Sequence, residues 1–553
     1  MKRRANALQA IQEQSFDVCV IGGGATGSGC ALDAQLRGLK TVQLEAGDFA
    51  SATSSASTKM VHGGVRYLEE AFRRLDPAEY HVVNRALHER LHMLKNAKFL
   101  TRAREFITPC YNWLDVAYYE TGLKLYDWIA GSASLAPSHF VSRAELLRRM
   151  PNLKAQGLVG GVAYTDGQFD DARYNLTLIE TFSAAGGEPL NYARVIGFEK
   201  SDDGRLAVAV VRDELSGTGF KIRARVFVNA TGPFADTVRS MASPSARPRM
   251  RLSKGVHILL PQEALSSGEA MLIPRTEDGR VLFAIPWMGR LLVGTTEQEI
   301  ELGDPLHLTR EEVEYLLRHL NRYLAAPVAA EQIVGGFAGA RPLLSSGDSR
   351  DTKKLARDHE VEMDSASGLI SIMGGKWTTY RAMAEDTLDT VQKYLGGSTA
   401  PCSTLNYPLT GSDGCSDEYW QTLSTQYALP EISARHLAEK FGSRASKVLD
   451  VIAVEPQLRA PLVEGLAPLR AEVIVSAREE MAITIEDVLA RRLGLQMYGW
   501  SEAIAAAPAV GELLARENGW PAADKERRIR EYIDKIRSVQ KSAGLVAPPE
   551  HAT

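Results

Sequence analysis

Cysteine is scarce in this chain: there are five in 553 residues (Cys19, Cys30, Cys110, Cys402 and Cys415), scattered and without a CxxC pair. That spacing argues against a cysteine-ligated iron–sulfur cluster and fits a reducing cytosol. Cys19 and Cys30 fall in the first strand and helix, where burial as small apolar residues is expected. Long apolar runs are missing too, since none reaches the ~18–20 residues that a membrane span requires. Neither charge sign dominates, with 64 basic against 68 acidic residues and a formal net charge of −4. Nucleic acid is therefore not expected as a partner. The first residues, MKRRANALQAIQEQ, carry cations but lack the apolar core of a secretory signal. No internal repeat recurs. The composition, 45% hydrophobic and 24% charged, is that of an ordinary globular protein, long enough for two or three domains.

What is present concentrates between Phe16 and Leu68. A β-branched strand, Phe16 to Ile21, turns through Gly22, Gly24 and Gly27 into a small-residue helix that runs from about Ala25 to Arg37. Gly38 closes it, and a second strand, Thr41 to Leu44, ends in Glu45. Gly22 permits the tight turn, Gly24 lets the backbone approach a pyrophosphate, and Gly27 brings the helix close to the sheet. The helix N-terminus at Ala25 and Thr26 offers N–H groups to the anion. Glu45 can accept hydrogen bonds from ribose hydroxyls. Strand, turn, helix, strand and acid arrive in the order that a dinucleotide site needs.

Further along, Pro77 to about Lys98 and Tyr111 to Ala130 read as helices, and Leu158 to Thr165 as a strand. Asp171 to Ala185 reads as a helix, and Lys221 to Asn229 as a strand running into Ala230-Thr231-Gly232. Between Arg251 and Gln298 the pattern turns to period two, with hairpins expected at Asp278-Gly279 and near Gly289. Thr309 and Glu312 form a capping box for a helix through Leu324. The expected fold class is α/β: a Rossmann-like FAD-binding domain with an inserted antiparallel-sheet substrate domain and a C-terminal helical domain. The boundaries are a basic segment (1–14), a nucleotide domain (15–250, with a helical insertion at about 77–157), an antiparallel-sheet domain (251–330) and a nucleotide-domain return (331–395). A linker (396–417), a helical domain (418–542) and a disordered tail (543–553) complete the chain.

Three segments favour FAD over a nicotinamide. The hydroxyl-rich run 51–57, with Ser54, Ser55 and Ser57, suits a pyrophosphate. Ala230, Thr231 and Gly232 close a later strand without bulk. Gly375, Lys376, Trp377 and Thr378 open a helix whose N-terminus would stabilise negative charge on a reduced flavin. Together with VIGGGATGSG, the blocks LEAGDFASATSSASTKMVHGGVRYLE, DGQFDDAR, VNATGPFAD, KGVHILLP, DGRVLFAIPW, LLVGTTE, GARPLL and GGKWTTYRAMAED follow in order over roughly residues 15 to 395. In them the chain resembles the FAD-dependent, respiratory glycerol-3-phosphate dehydrogenases, within the larger D-amino-acid-oxidase-like flavoproteins. EEMAITIEDVLARR, from Glu479, resembles the C-terminal helical domain of that family.

The resemblance implies oxidation of sn-glycerol 3-phosphate to dihydroxyacetone phosphate, with hydride passing from C2 to flavin N5 and electrons going on to a quinone. It places Arg66, Tyr67 and Arg357 on the phosphate, and Arg341 and Lys376 near C2. A phosphate dianion is best held by fixed cations, and a proton acceptor must take the hydroxyl proton. His257 is the first candidate for that base and His62 the second. His257 also reads as a satisfied core histidine, and His62 as a residue packing on the flavin edge. The resemblance implies a cytoplasmic protein held peripherally on the inner face of the cytoplasmic membrane. Candidate contacts are Lys2, Arg3 and Arg4, the helix holding Lys525 to Lys541, and the segment with Trp113, Tyr118, Tyr119 and Trp128. A homodimer stays open. His88-Glu89-Arg90-Leu91-His92 matches HExxH, but Lys95 and Lys98 occupy the positions of a metzincin extension, so no metal is expected. The alternatives are an oxidase using oxygen, an amine or amino-acid oxidase of the same fold, and a flavin-binding scaffold without turnover.

Overall fold

The opening strand Ser15–Ile21 is apolar on both sides, and each side is covered. Val18 and Val20 face one cluster with Ala31, Phe182 and Met383, while Cys19 and Ile21 face another with Val42, Leu176 and Val238. A strand buried on both faces belongs in the interior of a parallel sheet. In the computed structural model, which describes residues 1–64, 77–345, 359–396 and 400–545, this strand does pair in parallel on both sides. Its neighbours are Gly219–Asn229 and Thr41–Leu44. Ile370–Gly374 extends the sheet on one side and Glu188–Leu190 on the other. Helices Ala25–Leu36, Asp171–Ala184 and Tyr380–Leu395 pack beside it. Burial pushes the Cys30 thiol up to about 12, so it behaves as an inert apolar group.

A second sheet, of ten strands among the described residues, is organised around Met250–Pro261. That strand pairs antiparallel with Arg290–Gly294, with Gln298–Ile300 and, over ten register positions, with Gly335–Leu344. The hairpin turns stand at Asp278-Gly279 and at Gly289, where Gly289 takes a φ of 70°. The capping box at Thr309 and Glu312 opens the helix Arg310–Asn321.

Three boundaries differ from the sequence-based expectation. The helical insertion at 77–157 also contains the strand Thr101–Cys110, which pairs with Gly160–Phe169 over its whole length and with Ala270–Ile273 in parallel. Alternation in TRAREFITPC is weak, and the flanking helices masked it. The sheet is consequently mixed rather than purely antiparallel. Second, Gly335–Leu344, expected in the nucleotide-domain return, lies in this second sheet because its long register with Met250–Pro261 decides its place. Third, the segment expected as a linker is packed. The carbonyls of Thr404 and Leu405 accept from Asn96 Nδ2, and Leu409 is buried. Its Gly and Ser residues serve turns against the core. Ala543 of the expected tail is buried as well, while residues 546–553 lie outside the described residues.

The C-terminal helices form their own apolar cluster, with Leu437, Phe441, Val448 and Ile474. Buried ion pairs join them to the nucleotide half: Arg173 with Glu480 at 2.6 Å, Lys440 with Asp170 at 2.7 Å, and Arg444 with Glu180.

Candidate functional site

At the end of the opening strand, close approach decides which residues can stand there. A Cβ on Gly27 would lie 2.1 Å from the carbonyl oxygen of Gly22, and one on Gly24 would lie 2.8 Å from Ser54 Oγ. The first clash is with fixed backbone and excludes any side chain at Gly27; the second would push the Ser54 hydroxyl off Ala25. The first intrahelical bond is Ser28 N–H to the Gly24 carbonyl, so the N–H groups of Ala25, Thr26 and Gly27 lie ahead of the ladder. Ala25 N–H donates to Ser54 Oγ at 2.9 Å. The Glu45 carboxylate stands at the strand end and accepts from Gly23 N–H at 2.6 Å and Gly47 N–H at 2.8 Å. Burial raises its pKa against the pull of those two donors. Ala230 abuts Gly22, Thr231 Oγ1 donates to Asn229 Oδ1, and Gly232 takes a φ of 54°. A glycine cradle that no side chain could enter, beside an acid at a strand end, fits a dinucleotide.

A cavity of about 840 Å³ lies against the second sheet, closed also by the helix Trp113–Ala130, the loop 53–58 and the turn 375–378. His62, His257, Arg341 and Lys376 all line it, together with Ser57, Gly375, Trp377 and Thr378. These residues come from four separate stretches of chain. Arg66, Tyr67 and Arg357 lie outside the described residues.

The second sheet brings His257 and Arg341 together through its glycines. His257 sits opposite Gly294, and a Cβ there would be 2.2 Å from the imidazole. Arg341 lies across Gly255, where a Cβ would be 2.4 Å from its Nη2. Arg341 donates to Thr295 Oγ1 at 2.8 Å and to the Thr296 carbonyl at 3.3 Å, which fixes its fork. His257 is 1% exposed, stacks on Phe337 at 4.9 Å and shares a hydrogen bond of 3.0 Å with Thr58 Oγ1 through Nε2. Burial, then the cations of Arg341 and Lys59, hold its pKa well below the usual histidine range.

Several residues here escape a reading of motifs. Lys59 is buried, forms a 2.5 Å ion pair with Asp171, and stands over the rings of Phe337 and Trp287. Asp171 also accepts from the N–H and hydroxyl of Ser57. The pair therefore fixes the loop that carries Thr58 to His257, and breaking it would cost about 3–5 kcal/mol. The period-two order Ser253, Gly255, His257 was the available signal for Gly255, since glycine inside a strand marks close approach. Lys59 gave no signal, because its partner is 112 residues away.

Ser54 links the two parts. Its hydroxyl meets Ala25, and its carbonyl accepts from Trp377 Nε1 at 3.0 Å. Ser55 gives its carbonyl to Lys59 Nζ. Gly374 and Gly375, with φ of 73° and 79°, turn the last sheet strand into the helix that follows Thr378. The HExxH residues are engaged elsewhere: Glu89 accepts from Arg381, Arg90 pairs with Asp166, and His88 Nδ1 meets the Asn84 carbonyl.

Comparison with known proteins agrees with this arrangement. The family described as FAD dependent oxidoreductase matches residues 17–381, and the C-terminal domain of alpha-glycerophosphate oxidase matches 402–525. The mitochondrial glycerol-3-phosphate dehydrogenase of Bos taurus is 38% identical over 538 residues, covering 95% of this chain and 74% of that protein. The mitochondrial glycerol-3-phosphate dehydrogenase SDP6 of Arabidopsis thaliana is 37% identical, covering 96% and 88%. The crystal structure of the glycerol-3-phosphate dehydrogenase from Bacillus halodurans complexed with FAD is 29% identical, covers 97% of each chain and superposes with a TM-score of 0.79. This chain belongs to the FAD-dependent glycerol-3-phosphate dehydrogenases, and FAD is its cofactor.

Proposed function

We propose that the protein oxidises sn-glycerol 3-phosphate to dihydroxyacetone phosphate and passes the electrons to a membrane quinone. The observation that carries the substrate reading is the convergence of Arg341, Lys376, His62 and His257 on one cavity. Bound FAD supplies the two-electron acceptor for the C2 hydride. Glu45 holds the ribose hydroxyls, and the helix N-terminus at Ala25 to Gly27 faces the pyrophosphate. Arg341 and Lys376 orient the substrate and stabilise charge developing on its C2 oxygen. Arg66, Tyr67 and Arg357 complete the phosphate grip. His257 accepts the hydroxyl proton. Its pKa, depressed by burial and then by Arg341 and Lys59, makes it a weak base, but Arg341 in the same cavity also acidifies the alcohol. His62, half-buried beside Phe283, is the competing acceptor.

The acceptor reading is supported by the helix Trp113–Ala130, which lines the cavity with Tyr118, Thr121, Gly122 and Leu125. Its outer face exposes Trp113 by 66%, Leu114 by 83% and Trp128 by 71%. Exposed aromatic and aliphatic side chains suit a lipid interface, although Asp115, Glu120, Lys124 and Asp127 share this helix. The other candidate contacts are engaged within the chain: Lys2 with Glu188, Arg3 with Glu517, Arg4 with Asp213, and Lys525 with Glu512. No described helix is long and apolar enough to cross a membrane. We read the chain as a cytoplasmic protein in peripheral contact with the membrane through the helix Trp113–Ala130.

The test is anaerobic mixing of the holoprotein with glycerol 3-phosphate while the flavin band is followed. Bleaching at millimolar substrate is expected, and its absence overturns the substrate reading. Re-oxidation by a short-chain quinone faster than by dissolved oxygen supports the quinone. The reverse order makes the protein an oxidase.

A further inference from the structure

The loop that follows Glu45 is held from the C-terminal helical unit. Asp48, three residues beyond Glu45, is 2% exposed and receives two guanidinium groups. Arg491 Nε reaches its Oδ2 at 2.5 Å, and Arg492 Nη2 reaches its Oδ1 at 2.9 Å, with Arg492 Nη1 also on Oδ2. Both arginines lie in a single widened helical turn, Asp487–Arg492. Asp487 balances the second charge: it accepts from Arg491 at 2.6 Å and from the Tyr192 hydroxyl at 2.7 Å. Arg492 also donates to the Glu480 carbonyl at 2.7 Å. Two cations and two carboxylates thus form a buried set, with Asn191 Nδ2 also donating to Asp48 Oδ1 at 3.1 Å and Glu486 standing 4.0 Å from Arg491 Nη1.

The other side of this set is the nucleotide site. Gly47 N–H donates to the Glu45 carboxylate, the Gly47 carbonyl accepts from Tyr192 N–H at 2.7 Å, and Ala50 N–H donates to the Gly23 carbonyl at 3.1 Å. The turn 45–51 therefore joins the acid at the strand end to the glycine cradle, and Asp48 is the one point where the C-terminal unit grips it with charge. A buried charge pair fixes geometry because neither partner can leave without stranding the other.

We infer that Arg491 and Arg492 are positioning residues for FAD: through Asp48 they hold the turn 45–51 so that Glu45 and Gly23 keep the spacing the adenosine half requires. The inference rests on Glu45 as the ribose ligand, and the experiment separates the two claims. Apoprotein is titrated with FAD, and affinity is read from flavin fluorescence rather than from turnover. Asp48→Asn and Arg491→Gln weaken FAD by about ten-fold or more. Arg491→Lys, which keeps the charge, recovers most of that loss, and Tyr192→Phe costs about two- to four-fold. Arg444→Gln breaks the Glu180 ion pair between the same two units away from the turn, and it leaves FAD affinity unchanged while lowering the melting temperature. Glu45→Gln tests the ribose reading by itself. Affinity within about two-fold of wild type in both Asp48→Asn and Arg491→Gln overturns the inference. So does an equal loss in Arg444→Gln. If the two stronger variants fail to fold, Tyr192→Phe decides it: unchanged affinity there overturns the inference.

Discussion

The two halves of the cleft solve recognition in opposite ways. The nucleotide half works with backbone: three glycines, a helix start and one carboxylate, all within the first 45 residues. The substrate half works with side chains drawn from distant stretches, and each is held by a partner of its own. Arg341 leans on Thr295, His257 on Thr58, and Lys59 on Asp171. A diphosphate is long and invariant, so a continuous loop can match it. A small phosphorylated alcohol must be met from several directions at once, which only tertiary convergence provides.

This contrast can be broken at either half. The most far-reaching effect is expected at Gly27→Val, which costs the cofactor itself because added carbons collide with the Gly22 carbonyl. Overpacking of about 3 kcal/mol should lower FAD affinity by roughly a hundred-fold, and the protein should purify colourless. Removing a side chain from the other half should instead leave the colour intact. His257→Gln should reduce kcat by about 10²–10⁴ while FAD stays bound, as expected for a lost proton acceptor. A normal rate in that variant with a slow His62→Gln would transfer the role to His62.

The pH dependence sharpens the same assignment. Because the folded pKa of His257 lies well below its unfolded value of about 6.5, the folded protein resists protonation there. kcat/KM should stay flat as pH falls through that value. Stability should meanwhile decline, since the unfolded chain takes up a proton that the folded chain refuses. Arg341→Ala should reduce kcat by about 10²–10³ with flavin retained, checked by steady-state rates and flavin absorbance.

Glu480 gives an acid limit to the junction between halves. Burial opposes its charge, but Arg173 and its hydrogen bond, with Arg444 and Arg492, hold its pKa at about 2. The stabilisation is complete above the unfolded value of about 4.3 and is lost as pH falls from there towards 2, amounting to about 3 kcal/mol. Urea unfolding at pH 5 and pH 3 should show it, and Glu480→Gln should flatten the difference. The smallest effect belongs to the exposed helix. Trp113→Ser with Trp128→Ser should weaken binding to phospholipid vesicles by several-fold while turnover with a soluble acceptor is unchanged.

Legibility in the sequence followed the same division. The opening strand, helix and acid could be read because their turn, helix start and strand end follow one another within residues 16–45, and Thr41–Leu44 fell on the residues expected. His257, Arg341 and Lys376 could be named because they stand in recognisable blocks, although nothing local says that they meet. Asp171 and Lys59 were invisible, since a buried pair 112 residues apart leaves no periodic trace. Thr101–Cys110 was absorbed into its helical surroundings, and its ten pairings with Gly160–Phe169 exist only in three dimensions.

Ser54 spans this division. With its hydroxyl on Ala25 and its carbonyl on Trp377, it is a rivet through both ends of the cleft. Strain introduced at the glycine turn will be felt at the indole, and movement of the indole will be felt at the turn. The two ends of the cleft are therefore coupled through one residue.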